Sequence, residues 1–130
     1  MADETRTGDG RVAEPSDGRA GPGAGSESPD APVAVTDAAD LDDLSERHGT
    51  VLVDFYADWC GPCEAMEPVV ERLAAETGAA VATADIEAAE ELAREHGVRS
   101  VPTFLVFEDG EPVERFVGAQ DADRLRAALE

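Results

Sequence analysis

Apolar positions are sparse in residues 1–32 and then recur with two alternating periods. PVAVT (32–36) reads as a short extended piece. TDAADLDDLSERHG (36–49) puts Ala38, Leu41 and Leu44 on one helical face, with Thr36 or Asp37 placed to cap its start and Gly49 to stop it. TVLVDFYA (50–57) is almost wholly apolar, as a central strand covered on both faces should be. CGPCEAMEPVVERLAAETG (60–78) returns to helical spacing through Cys63, Met66, Val70, Leu73 and Thr77, and Pro68 should kink it. AAVATADI (79–86) reads as a strand, and EAAEELAREHG (87–97) as a short helix ending at Gly97. PTFLVFEDGEPVERFVG (102–118) reads as two strands around a tight turn at Asp109-Gly110. AQDADRLRAALE (119–130) closes as a helix with Leu125, Ala128 and Leu129 inward.

The predicted order is β-α-β-α-β-α-β-β-α. Strand–helix–strand units imply parallel pairing, and the hairpin adds an antiparallel pair. The expected fold class is therefore α/β, a mixed central sheet with helices on both faces. Residues 1–32 hold six of the twelve glycines and four of the eight prolines, with no aromatic residue, leucine or isoleucine. Such a segment cannot bury enough apolar surface to offset its ordering entropy. It is expected to be a disordered, acidic Gly/Pro-rich tail before a folded domain at 33–130. GPGAGS (21–26) lacks the flanking strand, the Gly-Lys-Ser/Thr ending and the following helix of a phosphate loop.

Charge changes the picture of where this domain works. Thirty acidic residues against ten arginines and no lysine give a formal net charge of −20. That argues against nucleic acid, which needs clustered cations, and against anionic membrane surfaces. Acidic chains are often disordered, but a hydrophobic fraction of 42% in ordered patterns favours a folded domain here. Self-repulsion is tolerated best in strong salt, where the Debye length falls to about 3 Å near 1 M. The expectation is a halophilic protein. No apolar run approaches the ~20 residues of a membrane span, and no basic-then-hydrophobic leader is seen, so the expected location is cytoplasmic.

Both cysteines lie in FYADWCGPCEAMEP (55–68). A zinc site would need His48 and His96 beside Cys60 and Cys63. Each histidine instead precedes a glycine at a predicted helix end, where it can interact with the negative end of the dipole. A structural disulfide would close a tiny loop in a reducing compartment. A reactive dithiol has a mechanism. Cys60 stands where a strand ends and a helix begins, so unsatisfied N–H groups and the dipole favour its thiolate, the nucleophilic form. Cys63, three residues on, shares its face and can resolve the mixed disulfide that Cys60 forms. Pro62 fits the start of a helix.

VDFYADWCGPC (53–63), with Pro68, GVRSVPTFLVFEDGE (97–111) and FVGA (116–119), resembles the thioredoxin family across residues 33–130. The resemblance implies Cys60 as attacking nucleophile, Cys63 as buried resolving thiol and Pro102 as a cis-proline packed against the dithiol. An ordinary trans proline opening a strand is the alternative for Pro102. Trp59, Gly61, Pro62, Val101, Gly118 and Ala119 would line an apolar substrate surface.

Asp54 interrupts an apolar strand, where burial should raise its pKa, unless it is a half-exposed strand-end residue. The resemblance gives it the role of accepting the Cys63 proton through water. Three departures stand out. The position where relatives commonly carry a lysine near this aspartate is Thr83. Tyr56 replaces a frequent tryptophan, and Glu64 follows Cys63 where a basic residue is common.

The function this implies is a thiol–disulfide oxidoreductase that reduces disulfide-containing client proteins and is itself reduced by a thioredoxin reductase. It would act as a monomer, with no metal and no cofactor beyond the Cys60–Cys63 redox-active disulfide. The alternatives are a specialised redox partner or isomerase, or a non-enzymatic interaction module using the apolar groove of the fold.

Overall fold

The computed structural model describes residues 29–130. The expected tail, 1–32, lies outside the described residues except for its last four positions, as does the GPGAGS stretch. The elements are β1 (Val33–Ala34), α1 (Ala38–Arg47), β2 (Thr50–Tyr56), α2 (Gly61–Glu76), β3 (Ala80–Asp85), α3 (Glu90–Glu95), β4 (Thr103–Glu108), β5 (Glu111–Val117) and α4 (Ala122–Leu129). Their order is the one read from the sequence, with α3 shorter at both ends.

The five strands form one sheet in the order β1-β3-β2-β4-β5. Alternation along the strands divides the core in two. Val51, Val53 and Phe55 of β2 face the side covered by Leu41 and Leu44 of α1 and Leu92 of α3. Leu52 faces the other way, with Met66, Val70 and Leu73 of α2 and Leu125 of α4. Asp54 has the parity of Leu52, so the strand pattern aims it at the α2 side of the sheet. That single fact positions the site.

One strand–helix–strand unit departs from the parallel expectation. β3 runs parallel to both β1 and β2, but β4 enters antiparallel to β2. The chain re-enters the sheet near the end where β3 left it, and Thr103 pairs with Phe55 at the top of β2. This brings Val101 and Pro102 to the strand end that leads into Cys60.

Local signals act mostly where the sequence places them. Asp37 caps α1, its carboxylate accepting the Asp40 N–H at 2.8 Å. Gly97 follows α3 in the left-handed region (φ 66), and the Val98 N–H reaches back to the Ala93 carbonyl at 2.9 Å. That closes the helix as a Schellman motif. Asp109 and Gly110 both have positive φ, matching the twist of the β4–β5 hairpin. Gly49 is not a left-handed stop; α1 ends instead on an extended His48. His48 is buried, and burial followed by the charge of Arg47 pushes its pKa down. His96 caps α3 and packs its ring edge-on against Phe107, 5.4 Å away. α2 continues through Pro68 as one helix.

Candidate active site

Cys60 is the N-cap of α2, in extended conformation, immediately after the turn that leaves β2. Its Sγ accepts the Cys63 N–H at 3.2 Å and is bonded to the Cys63 sulfur in a disulfide. A sulfur in this position meets a backbone donor that no helical carbonyl satisfies, and the positive end of the helix dipole. Both favour negative charge on Cys60 once the bond is reduced. Cys60 and Cys63 are 7% and 4% exposed. They cluster with Ala57, and Tyr56, Ile86 and Val101 pack against them.

The segment that packs against the disulfide through Val101 is fixed by its own local bonds. The Val101–Pro102 peptide is cis. The Thr103 hydroxyl donates to the Ser100 carbonyl at 2.8 Å, and the Gly118 N–H donates to the Pro102 carbonyl at 2.8 Å. Gly118 has φ 90, a conformation that favours glycine, so the strand end of β5 can turn there against Pro102. Trp59 is 69% exposed, and its indole N–H donates to Glu87 at 3.2 Å. Gly61 and Pro62 are exposed in the first turn of α2. Trp59, Gly61, Pro62 and Val101 thus surround the disulfide, with Gly118 tied in through Pro102. Ala119 is exposed and connects to this group only along the chain, through Gly118.

Asp54 lies on the other side of Cys63. It is 4% exposed, and its Oδ1 has no hydrogen-bond partner. Burial, with a smaller contribution from the Glu67 carboxylate, pushes its pKa up to about 7. The half-exposed alternative is thereby excluded. Asp54, Cys63, Glu67, Glu71, Tyr56 and Thr83 line one half-open cavity of about 280 Å³. Thr83 stands in direct register with Asp54 across the β2–β3 pairing. The Tyr56 hydroxyl is also pushed up, by burial first and then by Asp85, Asp58, Asp54 and Glu67. The cavity is therefore an acidic one with no cation on its wall. Sequence reasoning missed Glu67 and Glu71 as cavity residues. The signal was available in the four-residue spacing Cys63–Glu67–Glu71, which puts all three on one helix face.

Among the described residues, no group of three or more His, Cys, Asp or Glu is placed to hold a metal ion. Among the same residues, no helix is long and apolar enough to cross a membrane.

The sequence profile of the Thioredoxin family matches residues 32–130. The thioredoxin of Mycobacterium tuberculosis is 46% identical over 92 residues, spanning 69% of this chain and 79% of its own. The bifunctional thioredoxin reductase/thioredoxin of Mycobacterium leprae is 44% identical over 90 residues, 68% of this chain but 20% of that longer protein. Among solved structures, a variant thioredoxin from Halobacterium salinarum superposes with a TM-score of 0.77 at 52% identity. It covers 79% of this chain and 91% of its own. That relative and the charge of −20 together support a halophile origin. With this profile, these relatives and a disulfide-bonded Cys-Gly-Pro-Cys at a strand-to-helix turn, the chain belongs to the thioredoxin family of thiol–disulfide oxidoreductases.

Proposed function

We propose that this oxidoreductase reduces disulfides in client proteins with Cys60 as nucleophile and Cys63 as resolving thiol. In the reduced protein, the Cys60 thiolate attacks one sulfur of a client disulfide. The client S–S bond breaks, and the other client sulfur leaves with the electron pair and takes a proton from solvent. Asp54 then accepts the Cys63 proton through water in the shared cavity. The Cys63 sulfur bonds to Cys60 Sγ, and the second client sulfur leaves as a thiolate that is protonated in turn. The protein ends with the Cys60–Cys63 disulfide and the client with two thiols.

The single observation that carries this reading is the position of Cys60 Sγ. It is the helix N-cap, accepting a backbone N–H, and it is bonded to the cysteine that faces the Asp54 cavity. Trp59, Gly61, Pro62, Val101, Gly118 and Ala119 supply the docking surface for the client. The electron donor is a thioredoxin reductase, and the Mycobacterium leprae relative, in which the two names are joined in one protein, supports that pairing. The protein works as a monomer in a salt-rich cytoplasm and needs no cofactor besides its own disulfide.

The test is insulin disulfide reduction by the full chain, driven by dithiothreitol and then by a thioredoxin reductase with its nicotinamide reductant, across salt concentration. Turnover that requires both cysteines and rises with salt supports the proposal. Unchanged activity in a double Cys60→Ser, Cys63→Ser variant would mean that the groove and not the dithiol is the working part.

A further inference from the structure

The cavity beneath Cys63 holds a second acid that the steps above do not use. Glu67 is exposed and yet lines the cavity, so it stands at the mouth. It follows Cys63 by one helical turn on α2, so thiol and carboxylate share a face. Asp54 Oδ1, buried and without a partner, belongs to the same cavity. At about 280 Å³ the space is several times the ~30 Å³ share of one liquid water, so a short water path from Cys63 to Asp54 fits inside. The groups facing Asp54 are Tyr56 from β2, Cys63, Glu67 and Glu71 from α2, and the Thr83 hydroxyl from β3; the segment before β1 contributes only Pro32. None is cationic.

We propose that Glu67 is a positioning residue for the resolving step: its carboxylate sets how tightly Asp54 holds the proton taken from Cys63. The proposal rests on Asp54 being the proton acceptor. A negative charge at the mouth disfavours ionised Asp54 and so makes it the stronger base. A base poised near the working pH is the most effective one. The upward shift of Asp54, caused by burial first and Glu67 second, agrees with the geometry. The consequence has two opposite signs. Without the Glu67 charge, more Asp54 is ionised at low pH, but each ionised carboxylate is a weaker base.

The experiment mixes reduced full-length protein with one equivalent of dithiobis-nitrobenzoate. The first aromatic thiolate released reports Cys60 attack, and the second reports resolution by Cys63. The second phase is followed from about pH 5 to about pH 9 in dilute buffer. Glu67→Gln should lower its midpoint by roughly half a unit, about a threefold gain in ionised Asp54 below the midpoint. It should also lower the plateau above the midpoint. Glu67→Asp should restore the original profile, and Glu114→Gln, exposed on β5 and outside the cavity, should leave the midpoint in place. Asp54→Asn should flatten the profile. If Asp54→Asn flattens it and Glu67→Gln superimposes on the wild type, the role of Glu67 is overturned while Asp54 stands as acceptor. If Asp54→Asn keeps the wild-type profile, both fail.

Discussion

Asp54 and Thr83 stand opposite each other in the parallel β2–β3 ladder, and both face the cavity under Cys63. The partner of the buried carboxyl is thus a neutral hydroxyl-bearing residue, and Asp54 Oδ1 is left without a hydrogen bond.

Stability should therefore depend on pH through Asp54. Its folded pKa, about 7, lies above the ordinary value of 3.8, so the folded state binds its proton more tightly than the unfolded state does. Stability from this group is complete below about pH 4 and is lost as pH rises through about 7. The shift corresponds to at most about 4 kcal/mol, more than the ~1.5–3 kcal/mol of one buried leucine. Asp54→Asn should match the wild type most closely in acid and exceed it increasingly up to pH 8. Urea unfolding at a series of pH values reads the difference. A constant gap would show that Asp54 titrates alike in both states.

Thr83→Lys puts an ammonium beside Asp54. An opposite charge at that range should lower the carboxyl's midpoint by about one unit or more. The carboxylic acid C=O stretch, visible by infrared difference against Asp54→Asn at pH 6, should fall to about half or less of its wild-type intensity in the lysine variant. Its persistence at wild-type intensity would mean that the new side chain turns to solvent.

Cys63→Ser removes the resolving sulfur and leaves Cys60 at the helix N-cap. The variant should accumulate disulfide-linked client complexes on non-reducing gels, and dithiothreitol should release them. Multiple-turnover insulin reduction should fall at least a hundredfold, since the mixed disulfide cannot be resolved internally. Complexes that persist in a Cys60→Ser variant instead would reverse the assigned roles.

Salt should act both on the fold and on the nucleophile. Arginine–carboxylate pairs such as Arg47–Asp43 and Arg126–Glu76, both at 2.8 Å, offset only part of the acidic surplus. Moving from dilute buffer to molar KCl should raise the melting temperature on the order of 10 °C. Near the thiols, Asp58, Glu64 and Glu67 oppose a Cys60 thiolate, and screening removes that opposition while the helix N-terminus keeps its effect. Alkylation of reduced Cys60 by iodoacetamide at fixed pH should therefore speed up with salt. A salt-independent rate would mark these carboxylates as electrostatically idle.

Much of this was legible in the sequence because local and global signals agree. The apolar run of β2, the 3.6-residue spacing of α2 and the Asp109-Gly110 turn each specify one element without tertiary help. The direction of β4 was not legible, because a connection of this length can return to either end of the sheet, and the outcome shows only in the pairing of Thr103 with Phe55. The burial of His48 was not legible either: standing next to a glycine at a helix end says nothing about what packs over the ring. At the site, the Cys60–Cys63 spacing and the oddity of a buried Asp54 were visible in the chain. The cavity was not, because it forms only where β2, α2 and β3 meet. Glu67 could be seen as an acid near the thiols, but its parity with Asp54 appears only once α2 lies over the sheet.

The stripe Cys63–Glu67–Glu71 has an evolutionary consequence. On α1 or β5, an added carboxylate alters solubility and little else, so those surfaces can drift freely towards an acidic composition. If Asp54 and Glu67 act as proposed, each such change on this face of α2 also retunes proton transfer one turn away, and adaptation to salt and adaptation of catalytic rate become a single trait on that helix. A redesign of the protein for low-salt use can neutralise other surfaces first and should leave this stripe until last.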